Sequence, residues 1–409
     1  MFVDDMRKIA QGTSRRGAWA GYLDIDHDDF WEIASYLEHK PDDLNIGWCI
    51  RDRFVERLEN GEEEAIKRWK RMMKVRAVTG KGYLFFTDKV NRANPQMYKD
   101  LGLGVKASNL CTEITLHSDE DHTFTCVLSS MNASRYDEWE ENDSVFISTV
   151  FLDCICQVFI DEGRGIKGIE KAVRFTEKGR ALGLGCLGFH TYLQDRMIPI
   201  EGFEAHRINV EIFKHLHDKS LEASQWMAAN WGEPEWCKGH GVRNTHRTAV
   251  APNTSSALLC GGVSQGIEPV VANVYKQGSA AGNLVRINPS LLELMKDRGV
   301  YNEETLDRIA VDNQGSVQQE EWLNEEEKEV FKTAYEIDQG ALLRLASTRQ
   351  KFICQAQSLN LFFSEQEDEE YISAIHKEAV LDENIKSLYY MRSAAGVIAS
   401  KGECEACSG

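Results

Sequence analysis

Apolar positions recur along the chain with two different periods, and their alternation sets the expected architecture. Residues 18–25 read as a strand, and the acidic run 26–29 that follows can cap a helix over 30–38. Residues 45–49 (NIGWC) read as an amphipathic helical stretch with Cys49 in the core. Residues 52–78 carry mixed charge with apolar residues at helical spacing and predict one strong helix. GYLFFT (82–87) predicts a short apolar strand, and 123–129 predicts a second. A long apolar helix follows over 145–162, then an amphipathic one over 208–230. Residues 248–251 resemble a strand, 351–361 a longer element rich in polar side chains, and 384–388 a helical stretch. The polar start, 1–17, and the small, Gly- and Cys-rich end, 399–409, predict little structure of their own. Residues 1–398 are therefore expected to form one body and 399–409 a flexible tail. Nothing repeats at solenoid spacing, and helices alternate with short strands throughout, so the expected class is α/β.

Charge and composition narrow the functions. The 409 residues carry 47 Lys plus Arg against 65 Asp plus Glu, a net charge of −18. Such a chain lacks the broad basic face that nucleic acid requires, and an anionic small molecule would need a locally built site. The acidic stretch 320–329 reads as a solvated helical face. Apolar runs such as 145–155 are short for a bilayer and include Asp153, and the N-terminus lacks a signal-peptide core. No membrane association and a cytoplasmic location are expected. Eleven cysteines, an odd number at irregular spacing, argue against a secreted disulfide framework. Most should be buried thiols, with room for redox-active ones.

SNLCTEITL (108–116) carries the most chemistry. Were it extended, Asn109, Cys111 and Glu113 would share one face, an amide, a thiol and a carboxylate side by side. The competing reading is a surface strand with a chance cysteine. Cys126, on the next strand candidate, could return close to Cys111, although alone it reads as a core thiol. Cys404 and Cys407 form a CxxC near the C-terminus without a second pair to complete a zinc site, which suits thiol–disulfide exchange. A tail with no role is the alternative. Cys154 and Cys156 diverge on a helix and read as core. Adjacent tyrosines such as Tyr389 and Tyr390 are ordinarily one buried and one exposed, though two phenols in contact can pass a proton and an electron. Pro252, Asn253, Thr254, Ser255 and Ser256 precede an apolar run, where unpaired backbone N–H groups could cradle an anion or simply be capped. GLGCLG (183–188) fits GxGxxG, but a charged segment precedes it and no carboxylate sits about 20 residues on, so no dinucleotide site is expected.

In order along the chain, SNLCTEI, TCVLS, APNTSS with GIEP (266–269), LYY and the terminal CxxC resemble the catalytic large subunit of class I ribonucleotide reductase. The resemblance runs from about Arg15 to the C-terminus. It implies the C-terminal half of a ten-stranded α/β barrel with a finger loop near 108–116 carrying the radical cysteine. By motif, Cys111 would be the transient thiyl radical that takes the ribose 3′-hydrogen. Glu113 would accept the 3′-hydroxyl proton, and Asn109 would orient the substrate. Cys126 would be one of two reducing thiols. Tyr389 and Tyr390 would deliver the oxidising equivalent, and Cys404 and Cys407 would re-reduce the site disulfide. Residues Pro252 to Ser256, with Leu128, would contact the substrate and its diphosphate.

The resemblance implies no directly bound cofactor or metal. Its implied partners are a metal-containing, radical-generating small subunit, a thioredoxin or glutaredoxin, and a ribonucleoside diphosphate. Two departures stand out. Asn253 occupies a position that is acidic in some relatives, and nothing upstream of Cys111 matches the context of the second reducing cysteine. A split subunit, inactive without a separate N-terminal half, is therefore expected, an arrangement similar to that of some large tailed phages, in which case the location is the host cytoplasm. The alternatives are a fragment of the cobalamin-dependent class and a non-catalytic remnant that binds the small subunit.

Overall fold

The structure, a computed structural model, describes residues 10–11, 15–279 and 282–393. The tail 399–409, with Cys404 and Cys407, lies outside the described residues.

Short, almost continuously apolar strands are the signature of parallel sheets buried on both faces, and they organise this chain. Ala20–Asp24, Asn45–Ile50 and Tyr83–Phe86 lie parallel in that order, with Trp48 opposite Leu23 and Leu84. Asn45–Ile50 is thus a strand and not a helix, because its side chains are buried on both faces and helical and fully buried strand patterns coincide over so short a run. On the far side of Tyr83–Phe86 the strand Ser387–Leu388 pairs antiparallel, in place of the expected helical stretch. The chain is extended there because Lys386 is drawn inward, its ammonium donating to the carbonyls of Cys354 and Gln355.

A second parallel series begins with Leu128–Asn132 beside Gly183–Leu187, so the expected strand at 123–129 starts later. It continues through bridges from Leu184 to Thr248 and from Val250 to Gln357, and ends where Leu361–Phe363 pairs with Met391–Ser393. Two parallel series thus meet antiparallel at one seam, between Tyr83–Phe86 and Ser387–Leu388. At the other ends, Ala20–Asp24 and Leu128–Asn132 each have one strand neighbour among the described residues. The result is an α/β partial barrel. GLGCLG coincides with a buried strand, in agreement with the rejection of a dinucleotide loop.

Helices clothe the outside. The stretch 52–78 is two helices, Asp52–Glu59 and Glu63–Thr79, parted at Gly61, whose φ of 75° suits glycine. Phe203–Trp231 packs against Ser144–Gly163. The latter has 20 residues and is, by length and composition, apolar enough to cross a bilayer, contrary to the expectation from its sequence. Its inner face belongs to the protein core: Asp153 is buried and held by both Nε and Nη2 of Arg180 at 2.8 Å, with Arg243 at 3.0 Å. Its outer face exposes Ile147, Phe151, Ile155 and Val158, a continuous apolar stripe.

A smaller apolar cluster around Val274, Leu291, Ile309 and Phe331 supports a side lobe. Here the acidic stretch departs from a solvated face. Glu320 is buried, receiving Nε and Nη2 of Arg308 and the Trp322 indole, and Glu327 is buried in a capping box with Asn324. Only Glu325–Val330 is helical.

Candidate active site

The chain between Gln96–Leu101 and Leu128–Asn132 forms no regular strand, so residues 108–116 are a loop and not an extended segment. Thr112, with φ of 69°, turns the backbone at the tip, and strict two-residue alternation fails. The turn is tied from within. Asn109 Oδ1 accepts from Ile114 N at 3.3 Å, Asn109 O from Thr112 N at 3.4 Å, and Ser108 Oγ donates to Ile114 O at 2.6 Å. The carboxamide oxygen of Asn109 therefore shapes the loop from within.

Residues far along the chain fix the loop in place. Ala356 N donates to Glu113 O at 2.9 Å, Thr115 N to Gln355 Oε1 at 3.1 Å, and Ser387 Oγ to Thr112 O at 3.1 Å. Tyr22 on Ala20–Asp24 donates its hydroxyl to Asn109 O at 2.6 Å, and burial raises its pKa well above the ordinary phenol value. So anchored, Cys111 and Glu113 are both buried.

The hydroxyl of Tyr389 lies 3.5 Å from Cys111 Sγ, and the Tyr389 and Tyr390 rings touch with centroids 4.2 Å apart. Both tyrosines are buried, unlike the usual one-in, one-out arrangement. Ser358 Oγ is 2.6 Å from Cys111 O and 3.1 Å from Glu113 Oε2, so one hydroxyl bridges the backbone at Cys111 and the Glu113 carboxylate. Cys126 is exposed to solvent at the start of the open-edged strand Leu128–Asn132. Even so, withdrawal of water by its surroundings and then the nearby Glu113 carboxylate push its thiol up to about 12, which keeps it protonated. Leu128 opens that strand and is half-buried. Cys49 is a core thiol, as expected, facing Lys106 O at 3.5 Å, with its pKa raised to about 11 by burial.

At 252–256 the backbone turns into a short helix, Thr254–Leu259, through Asn253 at φ of 60°. Asn253 bridges Ser130 Oγ at 3.0 Å and the carbonyls of Cys186 and Ala251, and Thr254 Oγ1 meets Gln265 Oε1. Ser255 and Ser256 are exposed and Pro252 is buried beneath them. Gly266 is required here: a Cβ would lie 2.9 Å from Ala251 O, on a φ of 48°. Glu268 of GIEP accepts from Asn360 Nδ2 at 2.7 Å, and Asn360 Oδ1 in turn accepts from Tyr390 N.

Sequence reasoning missed Ser358, Tyr22 and Tyr83, the last of which shares one buried cluster with Cys111, Tyr389 and Tyr390. The available signal for Ser358 was a polar run, QAQS, entering an apolar segment. Below the loop, His117, Asp119 and His122 come close enough to suggest a cation site. Both Asp119 oxygens, however, already receive donors: one from His117 Nε2 and the other from His122 Nδ1 and two backbone N–H groups. The cluster is read as a clip that closes the loop.

The arrangement places a redox-capable phenol on a buried thiol, a carboxylate beside it and a second protonated thiol at an open edge. Comparison with known proteins agrees. Residues 61–238 and 230–391 match the family described as "Ribonucleotide reductase, barrel domain". A Frog virus 3 protein titled as a ribonucleoside-diphosphate reductase large subunit is 36% identical, with 99% of this chain covering 77% of that protein. The ribonucleoside-diphosphate reductase large subunit of Invertebrate iridescent virus 3 is 40% identical, over 90% of this chain and 58% of that one. The solved Actinobacillus ureae class Id ribonucleotide reductase alpha subunit superposes with a TM-score of 0.86 at 38% identity, over 94% of this chain and 72% of that one. Motif order, partial barrel and these likenesses converge: the chain belongs to the ribonucleotide reductase large-subunit barrel family.

Proposed function

We propose that this chain is the C-terminal part of a split ribonucleoside-diphosphate reductase and carries its radical chemistry. The observation that carries the reading is the Tyr389 hydroxyl on Cys111 Sγ with the Tyr390 ring in tilted contact with that of Tyr389. A metal-containing small subunit supplies the oxidising equivalent, which passes through Tyr390 and Tyr389 to leave a thiyl radical on Cys111. The thiyl takes the ribose 3′-hydrogen. Glu113 accepts the 3′-hydroxyl proton as general base and later returns it, and the 2′-hydroxyl leaves as water on taking a proton from one of the two reducing thiols. Two electrons and the proton delivered to the 2′-carbon come from a pair of thiols, Cys126 and one from another polypeptide, which end as a disulfide. Cys111 then returns its hydrogen to the 3′-carbon. The tail cysteines Cys404 and Cys407 reduce the disulfide and are themselves reduced by a thioredoxin or glutaredoxin.

Asn109 Nδ2 and Leu128 contact the substrate, and the exposed hydroxyls and first-turn N–H groups at Ser255 and Ser256 take the diphosphate over the bed formed by Pro252, Asn253 and Thr254. Burial of the finger keeps water from the radical. The reaction takes place in the cytoplasm.

The split rests on the open edges at Ala20–Asp24 and Leu128–Asn132 and on the apolar stripe of Ser144–Gly163. Unpaired edges beside exposed apolar surface call for a complement of strand and helix. The test is reconstitution with the complementary polypeptide and the small subunit, scored by reduction of ribonucleoside diphosphates. Turnover lost on Cys111→Ser supports the reading, and equal turnover in that variant makes the chain a non-catalytic remnant. Turnover with adenosylcobalamin and no small subunit would move it to the cobalamin-dependent class. Full activity from a monodisperse monomer plus the small subunit alone would remove the split.

A further inference from the structure

Consecutive residues of an extended strand point to opposite sides, yet the rings of Tyr389 and Tyr390 lie against each other. The strand is interrupted between Ser387–Leu388 and Met391–Ser393, at these two residues. Something must hold the rings in that unusual posture. Tyr83 is fully buried and fills the remaining side of the triangle. Its centroid is 4.7 Å from that of Tyr389, at an interplanar angle of 46°, and 5.2 Å from that of Tyr390, nearly perpendicular at 88°. The edge-to-face contact with Tyr390 is a favoured aromatic geometry.

The backbones bearing these rings are tied together from behind. Arg76 is fully buried and donates Nη1 to Gly82 O at 2.8 Å and to Tyr389 O at 2.7 Å, with Nε on His376 Nε2 at 3.1 Å. One guanidinium thus joins the residue before Tyr83 to Tyr389 itself. Its burial lowers its pKa to about 9, the mark of a cation held at a desolvation cost. Leu84 opposite Leu388, and Met391 N on Gly80 O at 3.0 Å, complete the register.

We propose that Tyr83 is a positioning residue for the radical relay: its ring, and not its hydroxyl, keeps the Tyr389 hydroxyl on Cys111 Sγ and Tyr390 in ring contact with Tyr389. The inference rests on the relay proposed above. Radical transfer between phenol and thiol is short-ranged, and a displacement of about 1 Å at a reacting group can cost on the order of 100-fold in rate.

The test uses the reconstituted complex with Tyr83→Phe, Tyr83→Leu and, as a second non-aromatic replacement, Tyr83→Met. Tyr83→Phe should keep turnover near wild type. The Leu and Met variants should lose on the order of 100-fold in kcat at unchanged KM, while assembling and melting close to wild type. In both, the radical trapped on 3-aminotyrosine at position 389 should fall in parallel by electron paramagnetic resonance. Wild-type kcat in either aliphatic variant would overturn the role. So would a Phe variant as impaired as Leu, or a radical trapped on 3-aminotyrosine at position 83, since either would make the hydroxyl a participant. Full turnover in Tyr389→Phe would instead sink the relay itself, a result separable from all of these.

Discussion

Ser358 offers the sharpest test of how the finger loop is tuned. Its hydroxyl has a single proton and two acceptors within reach, Cys111 O at 2.6 Å and Glu113 Oε2 at 3.1 Å, and all three groups are buried. One acceptor at a time is served, so the hydroxyl can follow the proton as Glu113 gains or loses it. Ser358→Ala removes both bonds and leaves too small a void to admit a compensating water. A hydrogen bond to a charged group contributes about 1.5–3 kcal/mol, which converts to roughly 10- to 100-fold in rate if the bond matters in the transition state. The expected result is a fall of that size in kcat of the reconstituted complex, with KM unchanged because Ser358 is buried and its hydroxyl is taken up by the loop. Ser358→Thr keeps the hydroxyl and should recover most of the loss. A kcat within about twofold of wild type in Ser358→Ala would refute the idea that the bridge between the Cys111 backbone and the Glu113 carboxylate tunes the site.

Other consequences concern stability and assembly. His190, His246 and His376 are fully buried, and burial pushes each pKa down to about 3, so the folded protein holds them neutral. Their unfolded pKa is near 6.5, so the unfolded chain binds more protons between pH 6.5 and 3 and stability must fall as pH drops through that window, by up to about 1.4 kcal/mol per unit for each group. At His376 the reason is visible, since Nε2 accepts from Arg76 and protonation would break that bond. Urea midpoints that stay flat from pH 6.5 to 4.5, or that keep the wild-type slope in His376→Gln, would contradict this. Asp153→Ala strands the buried Arg180, and should cost about 3–5 kcal/mol in urea unfolding; a loss below 1 kcal/mol would mean water reaches the pair. Phe151→Glu with Val158→Glu places charge on the exposed stripe of Ser144–Gly163, and should weaken co-purification of the complementary polypeptide while leaving the thermal melt of the chain unchanged. Unaltered capture would move the docking face elsewhere.

Much of the fold and most of the candidate site can be read from residue order alone, for a physical reason. Asn109, Cys111, Glu113 and Cys126 sit on one local stretch, so their types and spacing carry the chemistry whether or not the backbone is drawn correctly. The error at the loop was one of local conformation: Thr112 at φ of 69° breaks the alternation that an extended segment would impose. What stayed hidden is non-local. Ser358 is separated from Glu113 by 245 residues and Tyr389 from Cys111 by 278, and no periodicity encodes such pairings. Short elements failed for another reason. NIGWCI is apolar in every register, so helix and buried strand are indistinguishable until neighbours on both sides are known. Acidic stretches mislead similarly, since Glu320 is tolerated inside only because Arg308 and Trp322 come to it.

The two cysteines of the site differ in environment in a way that follows from the partial barrel. Cys111 is enclosed by Tyr389, which follows the strand Ser387–Leu388, by Ser358, which precedes Leu361–Phe363, and by Glu113 of the loop itself. Cys126 lies just before the strand Leu128–Asn132, which has one strand neighbour among the described residues, and it alone of the two reaches solvent. A radical must be shielded wherever it rests, so the relay end of the chemistry needs a finished wall. A reducing thiol must meet a second thiol and later an external reductant, so the other end needs an opening until the partner strand arrives. Under the split proposed here, those two requirements fall on opposite sides of the same loop, and only the shielded side is complete within this polypeptide.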